Sequence, residues 1–175
     1  MVSKKVVLFV LMFVVLGLIG CGRDDQKDIA QKEQGDMVCL KRADLKLIAG
    51  ALKRNTASME AAIKSGADAN VTVEGMGPPI VITSIGDNYS GVQLLLDRGA
   101  NINAEDSEGY TALITASFSN NPDMVRLLLS KGADVNAPSN LMVNGKKAGF
   151  TPMMIAKSKG NQEIVKLLME AGAKQ

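Results

Sequence analysis

Two short stretches hold residue types that serve in ligand binding. The segment GMGPPI at 75–80 begins like a glycine loop that cradles phosphate, but two prolines intervene and no alternating strand and helix pattern surrounds it. Asn103, Glu105, Asp106 and Glu108 carry the side-chain oxygens that calcium prefers, yet their spacing is not that of an EF-hand loop. Neither stretch predicts a cofactor or metal site.

The chain contains no histidine. It therefore lacks the usual general base, the usual zinc ligand and the middle member of a Ser-His-Asp relay. We expect a protein that is not an enzyme, uses no cofactor and has no small-molecule substrate.

The first twenty residues have the layout of a sorting signal. Positive charge in residues 1–5 precedes an unbroken apolar run at 6–19. Leu-Ile-Gly at 18–20, directly before Cys21, resembles the lipobox of bacterial lipoproteins. This resemblance implies that residues 1–20 are a cleaved signal peptide and that Cys21 carries diacylglycerol.

A membrane-spanning helix is the alternative for the same segment. Crossing a bilayer takes roughly 20 apolar residues, and the run at 6–19 is shorter, so we prefer the lipoprotein interpretation. The two chains of a diacylglycerol hold a protein stably on a membrane. We expect a lipid-anchored location in the cell envelope. Gly22 after Cys21 resembles lipoproteins of the outer membrane, facing the periplasm; inner against outer membrane stays open.

Charge and composition limit the partners. The chain has 20 basic and 18 acidic side chains. Removal of residues 1–20 takes away Lys4 and Lys5, so the balance falls from +2 to zero and nucleic acid is not an expected partner. We assign 21–40 to the lipidated cysteine and a flexible tether, since 22–36 is too polar to order itself. Cys39, the other cysteine, is either a small buried hydrophobe or a bridge between chains.

Nearly the same five-residue sequence occurs three times. GADAN, GANIN and GADVN begin at glycines 66, 99 and 132, which are 33 residues apart, and a clipped GAKQ begins at 172. Self-similarity at a fixed period is typical of a stacked repeat array. The period divides 41–175 into units at about 43–70, 71–103, 104–136 and 137–175. Twenty-one residues before each glycine lie Leu45, Pro78, Thr111 and Thr151.

Each unit also contains signals for the start and end of a helix. Ten residues after the positions just given lie Asn55, Asn88, Asn121 and Asn161. Asparagine is a strong helix N-cap, so a second helix should begin after each one. In the third unit Pro122 suits the first turn, and Gly132 suits a left-handed helix end. Each unit is thus predicted as helix, turn, helix and connecting loop.

The chain resembles the ankyrin repeat family, over roughly residues 43 to 175. The segments NAEDSEGYTALITA at 103–116 and LLLSKGADVNA at 127–137 follow its loop, first-helix and second-helix patterns. One departure is the missing histidine of the first helix, whose place is taken by Val81, Ile114 and Met154. The resemblance implies an all-α solenoid of about four helix-turn-helix units with hairpin-like finger loops.

The fourth finger is longer than the others. The third and fourth glycines of the motif lie 40 residues apart, at 132 and 172. Asn144-Gly145 is a strong signal for a tight turn. We predict an elongated hairpin, which either contributes to binding or is a tolerated loop lengthening.

In the ankyrin family the finger tips and the end of the first helix line a concave, partner-binding surface. The resemblance places on this surface Thr72, Glu74, Ile85, Glu105, Ser107, Glu108, Tyr110, Phe118, Ser119, Lys146, Lys147, Phe150, Ser158 and Lys159. Tyr110 and Phe150 are equally well explained by packing against the neighbouring finger.

These expectations combine into one leading function, a non-catalytic, membrane-tethered protein–protein interaction module that binds a partner in the bacterial cell envelope. One alternative is an inhibitor or immunity protein for a toxin or envelope enzyme. The other is a structural spacer of the envelope without a specific partner.

Overall fold

The computed structural model describes residues 29–31, 38–140, 142–143, 146–147 and 149–174, and it describes side chains from Leu40 to Asn140 and from Gly149 to Lys174. Eight helices lie within these ranges. They are α1 Arg42–Leu52, α2 Thr56–Lys64, α3 Pro79–Ser84, α4 Tyr89–Asp97, α5 Ala112–Phe118, α6 Pro122–Ser130, α7 Pro152–Lys159 and α8 Gln162–Glu170. They form four helix-turn-helix units, which confirms the predicted all-α solenoid.

The second helix of every unit begins directly after the predicted asparagine. The side chains of Asn55, Asn88 and Asn121 accept a hydrogen bond from the backbone N–H of the third helical residue, at 2.9 to 3.0 Å. Asn161 does not cap α8 with its side chain. Its Nδ2 instead donates to the Ser117 carbonyl of the preceding unit at 3.0 Å. The four helix starts are therefore confirmed, with side-chain capping at three of them.

The first helices stack in the order α1, α3, α5 and α7, and each packs on the second helix of its own unit. Small residues permit this close approach. Ala51, Ser84 and Ser117 occupy the same unit position and are fully or almost fully buried. The serine hydroxyls donate to carbonyls of their own helices, from Ser84 to Val81 at 2.7 Å and from Ser117 to Leu113 at 2.8 Å. Among the described side chains, no buried polar atom is left without a hydrogen-bond partner.

The repeated glycine ends each second helix. Gly66, Gly99, Gly132 and Gly172 have φ values of 89°, 80°, 87° and 86°. A side chain disfavours this left-handed conformation, so glycine suits the turn. The asparagine that closes the motif then bonds to the next unit: Asn70 Oδ1 accepts the backbone N–H of Asn101 at 2.7 Å.

The fourth finger is a hairpin, as predicted. Strand β3 (Met142–Val143) pairs antiparallel with β4 (Lys146–Lys147) on either side of the Asn-Gly dipeptide. Two hydrogen bonds close its base: the Ser139 N–H donates to the Phe150 carbonyl at 2.8 Å, and the Phe150 N–H donates to Ser139 Oγ at 3.1 Å.

A second strand pair precedes α1. Strand β1 (Ile29–Gln31) lies antiparallel to β2 (Val38–Leu40). The polar composition of 22–36 did not indicate this pairing, because a backbone ladder needs no buried side chains. The assignment of 21–40 as a tether stays a prediction. The predicted signal peptide at 1–20 and the predicted lipid site at Cys21 lie outside the described residues.

Candidate interaction surface

Three large apolar side chains are exposed at the same position of successive units. Leu52, Ile85 and Phe118 are 46%, 45% and 52% exposed. They stand at or just beyond the C-terminal ends of α1, α3 and α5, which are neighbours in the stack. We call these three residues the apolar row. It runs along the first helices over three units.

The ends of the first helices hold the row at the surface. In α5 the preceding residues Leu113 and Ile114 are 1% exposed and anchor the helix in the core. The chain then turns at Asn120, whose φ of 54° is left-handed. Arg54 makes the same turn after α1, with a φ of 54°. Because the helix stops there, its last side chain has no following turn to pack against.

Lys159 of the fourth unit lies beside the last residue of the row. Its Nζ lies 4.0 Å from the centroid of the Phe118 ring. Such a cation over an aromatic face is an attractive contact. It contacts Phe118 on one ring face, and Phe118 as a whole remains 52% exposed.

Positive charge also lies at the other end of the row. Lys53 and Arg54 follow Leu52 directly, and both are exposed. The Arg54 guanidinium lies over Gly86, so close that a Cβ added at Gly86 would overlap Arg54 Cζ. The three ion pairs between described side chains do not involve Lys53, Arg54 or Lys159.

An exposed carboxylate follows Ile85 of the row by two residues. Asp87 occupies the turn after α3, and its Oδ1 accepts a hydrogen bond from Asn121 Nδ2 at 2.9 Å. The Tyr89 hydroxyl lies 3.5 Å from the same oxygen. Asp87 is therefore engaged in linking the second unit to the third.

The third finger presents an acidic tip. Asp106 Oδ1 accepts the backbone N–H groups of Glu108 and Tyr110, both at 2.9 Å, which fixes the turn. Glu105 Oε2 accepts a hydrogen bond from Asn140 Nδ2 of the fourth finger at 2.6 Å. Burial raises the pKa of the Tyr110 phenol above 10.0, and the nearby carboxylates of Glu108 and Asp106 add to the rise.

The structure places the predicted surface residues as follows. Exposed are Thr72, Glu74, Ile85, Glu105, Ser107, Glu108, Phe118, Ser119, Ser158 and Lys159, while Tyr110 and Phe150 are partly buried. Lys146 and Lys147 form β4, and their side chains lie outside the described part. Phe118 and Lys159 are brought into contact. The roles of all these residues in binding stay predictions.

Leu52 and Lys53 are absent from the residues singled out by the sequence. Phe118 and Ser119 lie seven and eight residues after Thr111. Leu52 and Lys53 lie at the same distances after Leu45. The same count leads from Pro78 to Ile85, so the position in the first unit was open to sequence reasoning.

Metal-binding groups and cavities are the other features of the described part of the chain that bear on function. Within the described residues, no group of three or more histidine, cysteine, aspartate or glutamate side chains could hold a metal ion. A shallow cleft of about 280 Å³ lies between α1 and α2, lined mostly by alanine, glycine and serine with Lys46 and Lys53. Its lining offers no constellation for catalysis.

None of the described helices has the length and apolar character to cross a membrane.

Stacked helix-turn-helix units, glycine-ended second helices and hairpin fingers define a helical repeat solenoid. A profile for ankyrin repeats in three copies matches residues 47–139, and one for ankyrin repeats in many copies matches 114–169. The chain belongs to the ankyrin repeat family. Ankyrin repeats indicate a protein–protein interaction module and are generally non-catalytic. No curated protein sequence matches the chain significantly.

Proposed function

We propose that this chain is a non-catalytic module, tethered to a membrane through a lipid on Cys21, that binds a partner protein in the bacterial cell envelope. The apolar row carries the contact. The single observation behind the binding role is the register of Leu52, Ile85 and Phe118, each about half exposed on neighbouring helices. Contiguous apolar surface on a folded protein is typical of an interaction site.

The chemistry of the surrounding surface supports binding rather than turnover. The row is flanked by Lys53, Arg54 and Lys159, and the finger side carries Glu105 and Glu108. Aromatic anchors such as Phe118 often dominate the energy of protein interfaces. Charges at the rim contribute mainly to specificity and association rate.

Co-purification from detergent-solubilised envelopes tests the binding role. The triple variant Leu52→Ser, Ile85→Ser, Phe118→Ser should lose a partner that the parent chain retains. Met169→Ser is the matched control, because Met169 is 44% exposed on α8 and lies outside the row. Equal recovery with the parent and the triple variant would refute the role of the row.

The anchor rests on residues 1–21, which lie outside the described part, and is supported by the lipobox alone. Cys21→Ser should move the chain from the membrane to the soluble fraction and remove the mass of the diacylglycerol from its N-terminal peptide. Cys39→Ser is the control for loss of a thiol, and it should stay on the membrane.

The hairpin of the fourth finger favours one narrower candidate, an inhibitor of a toxin or envelope enzyme. The paired strands β3 and β4 form a finger longer than those of the other units. Such a finger suits insertion into a groove. A co-purified partner without enzymatic or toxic activity would refute this candidate, and a partner that binds equally after shortening of the finger would do the same.

A further inference from the structure

The spacing of the apolar row constrains the shape of its partner. Neighbouring packed helices lie about 8–10 Å apart, so the row offers one apolar contact at about that interval over three units. A binding segment that fills all three contacts must repeat its own apolar side chains at a similar interval.

An α-helix meets this condition better than an extended strand. Residues seven apart on a helix share a face and lie about 10.5 Å apart along the axis. Residues two apart on a strand share a face but lie about 6.7 Å apart, and those four apart about 13.4 Å. On a strand, therefore, no residue of the shared face falls at the second contact of the row, about 8–10 Å from the first.

Charge at the two ends adds a second condition. Lys53 and Arg54 lie beside Leu52, and Lys159 lies on Phe118. Asp87, two residues after Ile85, accepts a hydrogen bond from Asn121. The row is thus an apolar strip with positive charge at both ends.

We infer that the row binds one amphipathic α-helix of the partner protein, with apolar residues seven apart at three successive positions and an acidic residue about one turn beyond each end. This inference rests on the proposed function and specifies the partner's binding element. The acidic residues meet Lys53 with Arg54 at one end and Lys159 at the other.

A displayed peptide library tests this inference on the detergent-solubilised full chain. The library carries helix-forming peptides of about 25 residues, long enough for three heptads, with one face randomised. Selection runs against the parent chain, against the triple serine variant of the row and against the charge-reversed variant Lys53→Glu, Lys159→Glu. Met169→Ser is again the control for an exposed apolar side chain elsewhere.

We expect the parent and Met169→Ser to enrich peptides with apolar residues seven apart and acidic ends. The charge-reversed variant should enrich basic ends, and a peptide selected on the parent should bind it roughly fivefold more weakly, as expected for two exposed ion pairs. The charge-reversed variant changes only exposed side chains, so it keeps the test decisive if the triple variant fails to fold.

Two outcomes would overturn the helical inference without affecting the proposed interaction module. One is enriched peptides that need the row but whose apolar residues alternate with a period of two. The other is enriched peptides whose binding does not change with the charge reversal. Absence of any peptide that prefers the parent to the triple variant would overturn the inference too. The envelope co-purification then decides the proposed function separately.

Discussion

The backbone N–H of Asp134 donates to the side-chain Oδ1 of Asn103 at 2.9 Å, across 31 residues of sequence. The same bond joins Lys174 to Asn136 at 2.8 Å. Within the first unit, Asp44 makes a similar contact, since its Oδ1 accepts the N–H of Asp68 at 2.8 Å. The asparagine that ends the repeated motif therefore links one unit to the next.

Loss of this link should weaken the stack. Asn103→Ala should lower the free energy of unfolding by about 1 kcal/mol, the usual net value of a hydrogen bond. Urea unfolding followed by circular dichroism measures the change. The control Ser107→Ala removes a hydroxyl from the exposed tip of the third finger and should cost less than about 0.5 kcal/mol. Equal stability of the two variants would show that the link is not needed.

Gly109 is needed for two separate reasons. Its φ is 75°, and a Cβ added to it would overlap the backbone nitrogen of Asn140. Gly132 has a φ of 87° but nothing within 4 Å of its Cβ position. Gly132→Ala should therefore lower the folding stability only by the cost of holding alanine in the left-handed conformation, about 1–2 kcal/mol.

Gly109→Ala should lower the folding stability more than Gly132→Ala, because the third finger must also move away from the fourth. Urea unfolding of both variants gives the difference. Identical losses would mean that the two fingers separate without cost.

The Tyr110 phenol should titrate above its ordinary pKa of 10.0, because burial and the nearby carboxylates oppose its ionisation. The chain has two tyrosines, so the variant Tyr89→Phe isolates Tyr110 in an absorbance titration at alkaline pH. Glu108→Gln should lower the midpoint only in part, since burial is the largest cause. A midpoint at or below 10.0 would contradict the half-buried position.

The same shift makes stability depend on pH. A folded-state pKa above the unfolded value of 10.0 favours the neutral phenol in the fold. This contribution is fully present below pH 10 and is lost as the pH rises through the folded pKa. In Tyr110→Phe the stability should fall less over that alkaline range, as measured by urea unfolding at several pH values.

The repeats themselves were predictable from local rules. Asparagine caps, left-handed glycines and the Asn-Gly turn act within a few residues, so the helix starts and the fourth hairpin follow from the sequence. The apolar row was predictable only in part. Ile85 and Phe118 were identified from the family pattern, whereas Leu52, at the same position of the first unit, was not.

Contacts between units depend on the stack. The position of Lys159 over Phe118 joins residues on two units separated by the enlarged fourth finger, and no local rule supplies it. The strand pair before α1 likewise depends on backbone pairing rather than on side-chain pattern.

A paired comparison of Phe118→Ala and Leu113→Ala tests the central claim most directly. Phe118→Ala should lower the affinity for the co-purified envelope partner at least tenfold, as expected of an interface anchor, while costing about 1 kcal/mol of folding stability or less. Leu113 is 1% exposed, so Leu113→Ala should cost about 2–5 kcal/mol of stability and leave the affinity of the folded protein unchanged. An unchanged affinity in folded Phe118→Ala would contradict the claim that the apolar row recognises the partner.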